Sequence, residues 1–389
     1  MTSTSTTIPS LYGLRAISIL LVILSHCFLH ARSNDPVSKL LLGLAGNGSV
    51  GVSIFFVISG FLITILLLKE QRPFGNINIP DFYLRRAFRI LPAFLLYVMV
   101  IAVLASAGVL AVPSQQFWRA LTLTMDYVPE RNWFLGHIWS LSVEEQFYLL
   151  WPLLVVFCSR KSLLFIASAS ILLGPFIRMA DRVLLPGTRF EIEYMGHTRA
   201  DMLMFGCLIA LYFEDDRLRA FVKRGSAVGV PVLSAIFLFL ISPLLELWFE
   251  GVYIKTIGYT LQGVCIAFLL LYFVTTPESF AGRVFNSRPA VHIGTISYGL
   301  YLWQELFIGF RQYSFVGTAL RVGAAFLAAE ASYFLVESPA LRFKRRFSHH
   351  RRVTAPVSEV TLCRAPVDAV KRPSEAANNA GAEVASSVS

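Results

Sequence analysis

Long apolar runs alternate along the chain with short polar stretches rich in Arg, Lys, Gly and Pro. A helix that crosses a bilayer takes about 20 mostly apolar residues, with roughly 17 to 25 tolerated. That template fits residues 11–30, 49–68, 90–111, 138–158 and 162–179, then 199–213, 227–247, 257–274, 293–310 and 317–336. The sixth run is short and the ninth polar for a span. The pattern therefore predicts an all-α polytopic membrane helix bundle of about ten transmembrane helices, because only helices and closed barrels satisfy their backbone inside lipid. From about residue 347 the apolar period ends in a basic start, Ser348 to Arg352, and an Ala/Ser/Val/Glu-rich stretch too poor in large apolar side chains to fold alone. The expected organisation is a membrane domain over 1–345 and a disordered cytoplasmic tail over 346–389.

Charge sets the expected orientation. Lys69, Arg72, Arg85, Arg86 and Arg89, then Arg160 and Lys161, then Arg217, Arg219, Lys223 and Arg224, fall between alternate runs, as do Arg283, Arg288 and the group Arg342 to Arg346. Short loops rich in Lys and Arg stay cytoplasmic, so both termini are expected there. Composition agrees with lipid as the solvent: 56% of the 389 residues are hydrophobic and 15% charged, against roughly 25% charged in a soluble domain. The net charge of +10 is scattered in clusters between apolar runs, which speaks against a nucleic-acid face. Five cysteines without a CxxC or a His/Cys pairing indicate neither a disulfide framework nor a metal site, and the first ten residues lack the basic start of a secretory signal.

Polar residues inside the spans carry the candidate chemistry, since a charge at mid-bilayer costs about 2.5 to 3.5 kcal/mol or more without a partner or a water-filled cavity. Arg15 and His26 are eleven positions apart, three turns plus about 20°, so they share a face about 16 Å apart along the axis. One reading makes Arg15 an interfacial anchor and His26 a helix-end residue. The other makes His26 a general base, a task its ordinary pKa suits. A carboxylate to orient that base is expected at Glu144, in the run His137 to Tyr148 that opens the fourth span. Ser140, Glu144 and Tyr148 share one helical face and Glu145 is rotated about 100° away; both carboxylates also suit a wetted helix start. Arg199 and Asp201 open the sixth span, and Tyr298, Tyr301, Trp303, Gln304 and Glu305 make the ninth too polar to face lipid. Aromatic rings beside amides and hydroxyls, Trp139 among them, suit a sugar or an interfacial belt. Arg85, Arg86 and Arg89 present guanidinium groups from one turn, fit to fork onto phosphates or to anchor the helix. Glu337 is placed to neutralise one Arg. Gly51, Ser53, Ser59 and Gly60 permit close helix approach in the second span.

Taken in order, Arg15-Ala16 with His26, Phe55 to Phe61, Arg86 to Pro92, Trp139 to Tyr148, Arg199-Ala200-Asp201, Ser297 to Trp303 and Glu337-Ser338-Pro339 resemble the acyltransferase-3 family of integral membrane O-acyltransferases. The resemblance covers residues 11 to about 345. It implies transfer of an acyl group, usually acetyl, from cytoplasmic acyl-CoA to a hydroxyl of a carbohydrate such as O-antigen, exopolysaccharide, a Nod factor or another glycoconjugate. It further implies a bacterial inner-membrane location, no permanently bound cofactor, His26 as the catalytic residue, and Arg15 with Arg85, Arg86 and Arg89 on the CoA side. Trp139, Ser140, Glu145, Tyr148, Arg199, Asp201, Tyr298, Tyr301, Trp303 and Gln304 are then the expected substrate-binding residues. Two departures stand out. Relatives commonly carry His where Gln304 stands, and the esterase-like domain that often follows is not expected in the short tail. Direct transfer and an acyl-His26 intermediate are both open, and the rival of another class is a transporter or flippase of a lipid-linked sugar.

Overall fold

The computed structural model describes residues 9–29, 46–75, 77–185, 187, 191–249, 251–309 and 314–347. In chain order the helices are α1 Pro9–Phe28, α2 Gly48–Phe74, α3 Ile79–Ser106, α4 Ser114–Leu121, α5 Trp133–Gly136, α6 Ile138–Phe157, α7 Arg160–Leu184 and α8 Gly196–Tyr212. They continue as α9 Asp216–Ala227, α10 Val230–Ile236, α11 Ser242–Phe249, α12 Tyr259–Thr275, α13 Phe280–Phe285, α14 Arg288–Phe307, α15 Phe315–Ser332 and α16 Ser338–Phe347, with no strand among the described residues. By contact the chain divides into Met1–Lys344 and Arg345–Ser389. Of the second unit only residues 345–347 are described, so the tail expected over 346–389 lies almost wholly outside the described residues.

Each of the ten apolar runs coincides with a helix, and 7 helical stretches have the length and apolar composition to cross a membrane. The remaining three runs are α6, α8 and α14, which hold most of the polar motifs. Burial explains the division. In the Gly48–Arg72 stretch 83% of the apolar window is buried, against 22% for Arg160–Leu184 and 17% for Val316–Phe343, so α2 is a central helix and α7 and α15 are peripheral. The large apolar side chains left outside, Phe157 at 81% and Phe165 at 74% exposure, are the surface a bilayer would cover. Helix α8 is only 17 residues long but almost every side chain on it is buried, so neighbouring helices rather than lipid form its surroundings.

Two expected boundaries move, for the same reason. Helix α3 starts at Ile79, eleven residues before the apolar run, because Asn78 caps it by accepting from the Asp81 amide at 3.1 Å and Pro80 sits in its first turn. Arg85, Arg86 and Arg89 are thus inside a helix. Likewise α7 continues to Leu184, and Arg178, near the end of the apolar run, is helical and fully buried. Apolarity ends before either helix does because buried partners compensate the charges.

Helices α2 and α8 make the most extensive contact, followed by α1 with α14, α7 with α8, and α1 with α2. The α2–α8 crossing depends on reciprocal glycines. A Cβ on Gly60 would stand 1.9 Å from the Leu203 carbonyl oxygen, and one on Gly206 2.0 Å from that of Val57; only a bare Cα admits backbones this close. Replacing either by Val is expected to cost at least about 1–3 kcal/mol through forced backbone separation, seen as an earlier thermal unfolding of the detergent-purified protein. Gly323→Ala in α15, where an added Cβ meets nothing within 4 Å, should leave that transition in place or raise it; an unaltered transition in both Gly60→Val and Gly206→Val would refute the close crossing.

Candidate functional site

Two polar centres lie along α1. At its C-terminal end, His26 Nδ1 is 2.6 Å from Gln304 Oε1 on α14. With the amide oxygen accepting, Nδ1 carries the ring hydrogen and Nε2 keeps its lone pair. That Nε2 is 3.8 Å from Glu305 Oε1, while Glu305 Oε2 accepts from Nδ1 of His137 at 2.8 Å. Consecutive residues of α14 thus serve opposite sides of one imidazole: a neutral amide orients it, and a carboxylate faces its free nitrogen. The carboxylate is shared with a second histidine just before α6. Trp133 closes one side, edge-on to the His26 ring at 5.2 Å and donating its indole N–H to the Glu305 carbonyl at 2.8 Å.

His26, His137, Trp139, Arg199, Tyr301 and Glu305 all line a cavity of about 610 Å³ open to the surface. Its wall is aromatic: Trp139 meets Tyr194 edge-on at 5.1 Å and Phe56 at 6.0 Å, and Tyr194 carries the Arg131 guanidinium over its face at 3.8 Å. Burial, and then the neighbouring Glu193 carboxylate, push the Tyr194 phenol upward, so it offers a neutral hydroxyl. Arg131 in turn pairs with Glu191 at 2.5 Å.

The second centre lies toward the N-terminal end of α1. Arg15 stands in the electrostatic field of Glu144, Tyr148 and Arg86, and Arg89 in that of Arg15 and Arg86. Glu337, at the end of the π-helix Tyr333–Glu337, lies in the electrostatic field of Arg89 and Arg15. Arg86 lies 4.2 Å over the Tyr148 ring. The Nε atoms of Arg15 and Arg86 are buried without a bonding partner, so this cation cluster retains unused donors.

Several expected placements change. Glu144 does not meet His26. Its Oε1 accepts from Ser59 at 2.9 Å and its Oε2 lies 3.1 Å from the Tyr148 hydroxyl. Helix α6 begins at the His26 end, which puts Glu144 about 9 Å further along the axis, among the arginines. Arg85 leaves the cluster to pair with Glu70 at 2.6 Å, fastening the α2–α3 turn. Asp201 does not reach the cavity: it is buried against Arg178 at 2.9 Å and Thr260 at 2.8 Å. Ser140 bonds the Tyr301 hydroxyl at 2.5 Å, Tyr298 donates to the Ile90 carbonyl at 3.0 Å, and Trp303 packs edge-on against Tyr97 at 5.5 Å, so these three hold helices together behind the site. Glu145 and Tyr148 line a separate cavity of about 320 Å³ with Arg86. Sequence reasoning named Glu305 and His137 without giving them a role, and gave none to Trp133 or Arg178. His137 stands two positions before Trp139 and Glu305 directly after Gln304, so adjacency to the motifs was their signal.

The chain belongs to the acyltransferase-3 family: residues 8–335 match the family model described as an acyltransferase domain. Its several long apolar helices make it a multi-pass membrane protein of that family. Among curated relatives it is 29% identical to the peptidoglycan O-acetyltransferase OatA of Listeria monocytogenes, over 85% of this chain and 55% of that protein. It is 28% identical to the putative peptidoglycan O-acetyltransferase YrhL of Bacillus subtilis, over 91% of this chain and 60% of that protein. A putative O-acetyltransferase of Staphylococcus aureus matches at 28% identity over 85% of this chain and 57% of its own length. The chain therefore spans under two thirds of these relatives. No solved structure matches it.

Because Arg178 also donates to the Thr198 and Thr256 carbonyls and to Thr260, the Arg178–Asp201 pair is a clamp joining α7, α8 and the π-turn Ile254–Gly258. Asp201→Leu alone strands a buried guanidinium and is expected to destabilise by about 3–5 kcal/mol. The double variant Arg178→Met/Asp201→Leu should recover much of that loss in thermal unfolding; a single variant as stable as the wild type would remove the clamp.

Proposed function

We propose that the protein is a membrane-bound O-acyltransferase that moves an acyl group, acetyl in the simplest case, from acyl-CoA to a hydroxyl of a carbohydrate. The observation that carries this is His26, oriented through Nδ1 with Nε2 free, opening into a sugar-sized aromatic cavity at one end of a helix whose other end places Arg15 beside Arg86 and Arg89. Names of relatives that acetylate peptidoglycan support a glycan acceptor.

In the proposed reaction the acceptor hydroxyl gives its proton to His26 Nε2 as its oxygen attacks the thioester carbonyl. The tetrahedral intermediate collapses to the ester, the C–S bond breaks, and the imidazolium returns the proton to the departing CoA thiolate. Glu305 faces the cation that forms on Nε2 and stabilises it, and Gln304 holds the tautomer. Arg15, Arg86 and Arg89 are assigned to the phosphates of the donor, and Trp139, Tyr194 and Tyr301 to the acceptor sugar. We place the arginine cluster and both termini on the cytoplasmic side of a bacterial inner membrane and the His26 cavity on the opposite side, from the distribution of Lys and Arg. The donor's pantetheine arm then threads toward His26 between the centres.

Membranes carrying the wild type should transfer label from radiolabelled acetyl-CoA to envelope or secreted glycan, and His26→Ala should abolish it while the protein still folds. Glu305→Gln should lower kcat by about 10- to 100-fold with donor KM little changed. Transfer that persists in His26→Ala ends the mechanism; wild-type transport of a lipid-linked sugar with no requirement for acyl-CoA favours a flippase instead.

A further inference from the structure

Arg199, in the first turns of α8, is 0% exposed and yet incompletely bonded. Its Nη2 donates to Ser53 Oγ at 2.9 Å and its plane lies 3.7 Å over the Tyr259 ring. Nε and Nη1 have no hydrogen-bond partner. Among the described residues no carboxylate comes within ion-pair distance of it, although Asp201 and Glu193 lie in its electrostatic field. Asp201 is held by Arg178, and Glu193 accepts from the Tyr259 hydroxyl at 3.4 Å. The other cation of this cavity, Arg131, is already paired with Glu191. Arg199 is thus a buried charge with free donors on the wall of the cavity that contains His26. A guanidinium withdrawn from water without a counter-ion is costly, and filling the cavity with an anion would relieve that cost.

We propose that Arg199 is the seat of a carboxylate on the acceptor, so that the glycan acylated here is an acidic one, carrying a uronate or comparable carboxylated sugar at or beside the modified residue. This rests on the cavity being the acceptor site. A carboxylate matches a single guanidinium in charge, whereas a dianionic phosphate monoester would be repelled by Glu193 and Glu305, which line the same cavity. The Tyr259 and Phe56 rings lie 3.7 and 5.6 Å from the guanidinium carbon, and Ser53 fixes one nitrogen. The ligand therefore meets a preset donor and not a mobile side chain. Tyr194 and Trp139, which line the same cavity, suit the apolar face of the same sugar ring.

The test measures binding of the purified full chain in lipid nanodiscs, without acyl-CoA, to three forms of one probe: a glucuronate-containing tetrasaccharide, its carboxyl-reduced neutral form and its methyl ester. The acidic form should bind roughly 10- to 100-fold tighter than either neutral form. Arg199→Gln should abolish the preference while leaving the neutral affinity in place, and Arg199→Lys should keep part of it. The methyl ester arm needs only wild-type protein, so it decides even if the Arg199 variants fail to fold. Equal affinity for the acid and its ester, no binding of the acid, or a preference that survives in folded Arg199→Gln overturns the proposal. A wild type that prefers the acid but transfers no acetyl from acetyl-CoA would count against acetyl-CoA as the donor and leave the anion site standing.

Discussion

A charge taken out of water must find a partner or a solvated cavity, and every polar centre of this bundle is an answer to that requirement. Arg178 is answered completely: a carboxylate, two carbonyls and a hydroxyl satisfy its guanidinium at 0% exposure. Arg15, Arg86 and Arg89 are answered in part, by the nearby carboxylates Glu144, Glu145 and Glu337, none of which closes an ion pair with them among the described residues. Arg199 is answered least. The gradient from complete to incomplete compensation separates what holds the helices together from what is positioned to receive something else.

That gradient also explains why the polar motifs sit on α6, α8 and α14. A helix in contact with lipid on several sides has nowhere to place an ionised group. Helix α8 packs against α2, α7 and α12, and α14 against α1 and α15, while α6 turns Leu149, Leu150 and Phe157 outward and keeps Ser140, Ser142 and Tyr148 buried. The peripheral helices supply the solubility in lipid and the inner ones are thereby free to be polar. The close crossing at Gly60 and Gly206 matters here, because it brings α2 against α8 and so sets Ser53 beside Arg199.

The sequence made the helices legible and left their polar contacts ambiguous. Ten apolar runs coincide with ten helical positions because hydrophobic period is a local property. The start of α3 was missed because a cap at Asn78 and a first turn with Pro80 and Asp81 outweigh hydropathy in deciding where a helix begins. Of the candidate residues, His26 with its neighbour Gln304, and Arg199 with Trp139 and Tyr301, are gathered round one cavity or its wall. Glu144 was expected at His26 because it lies on the correct face of α6, but a face fixes only the angle. Depth along the axis is set by where α6 begins, and Ile138 at the His26 end puts Glu144 with the arginines. Partner choice was hidden for a different reason: Arg85 shares a turn with Arg86 and Arg89, yet its long side chain reaches Glu70 on another helix, which no spacing rule anticipates.

In the proposed mechanism the pair Gln304-Glu305 divides between two residues what a single carboxylate does in a serine-type triad. There the acid sits behind the imidazole, on the nitrogen that does not react, and must both orient the ring and balance its charge. Here the residue behind the ring is a neutral amide at 2.6 Å from Nδ1, so it fixes the tautomer and adds no charge. The charge is supplied instead beside Nε2, by Glu305 at 3.8 Å. That distance is longer than a hydrogen bond, which leaves Nε2 open to an acceptor proton while keeping the carboxylate close enough to balance the imidazolium. His137 secures the arrangement: by donating to Oε2 at 2.8 Å it fixes the carboxylate and leaves Oε1 directed at His26. A histidine in place of Gln304 would compete for that orientation with a second titrating ring, whereas the amide keeps the base single and its polarity set.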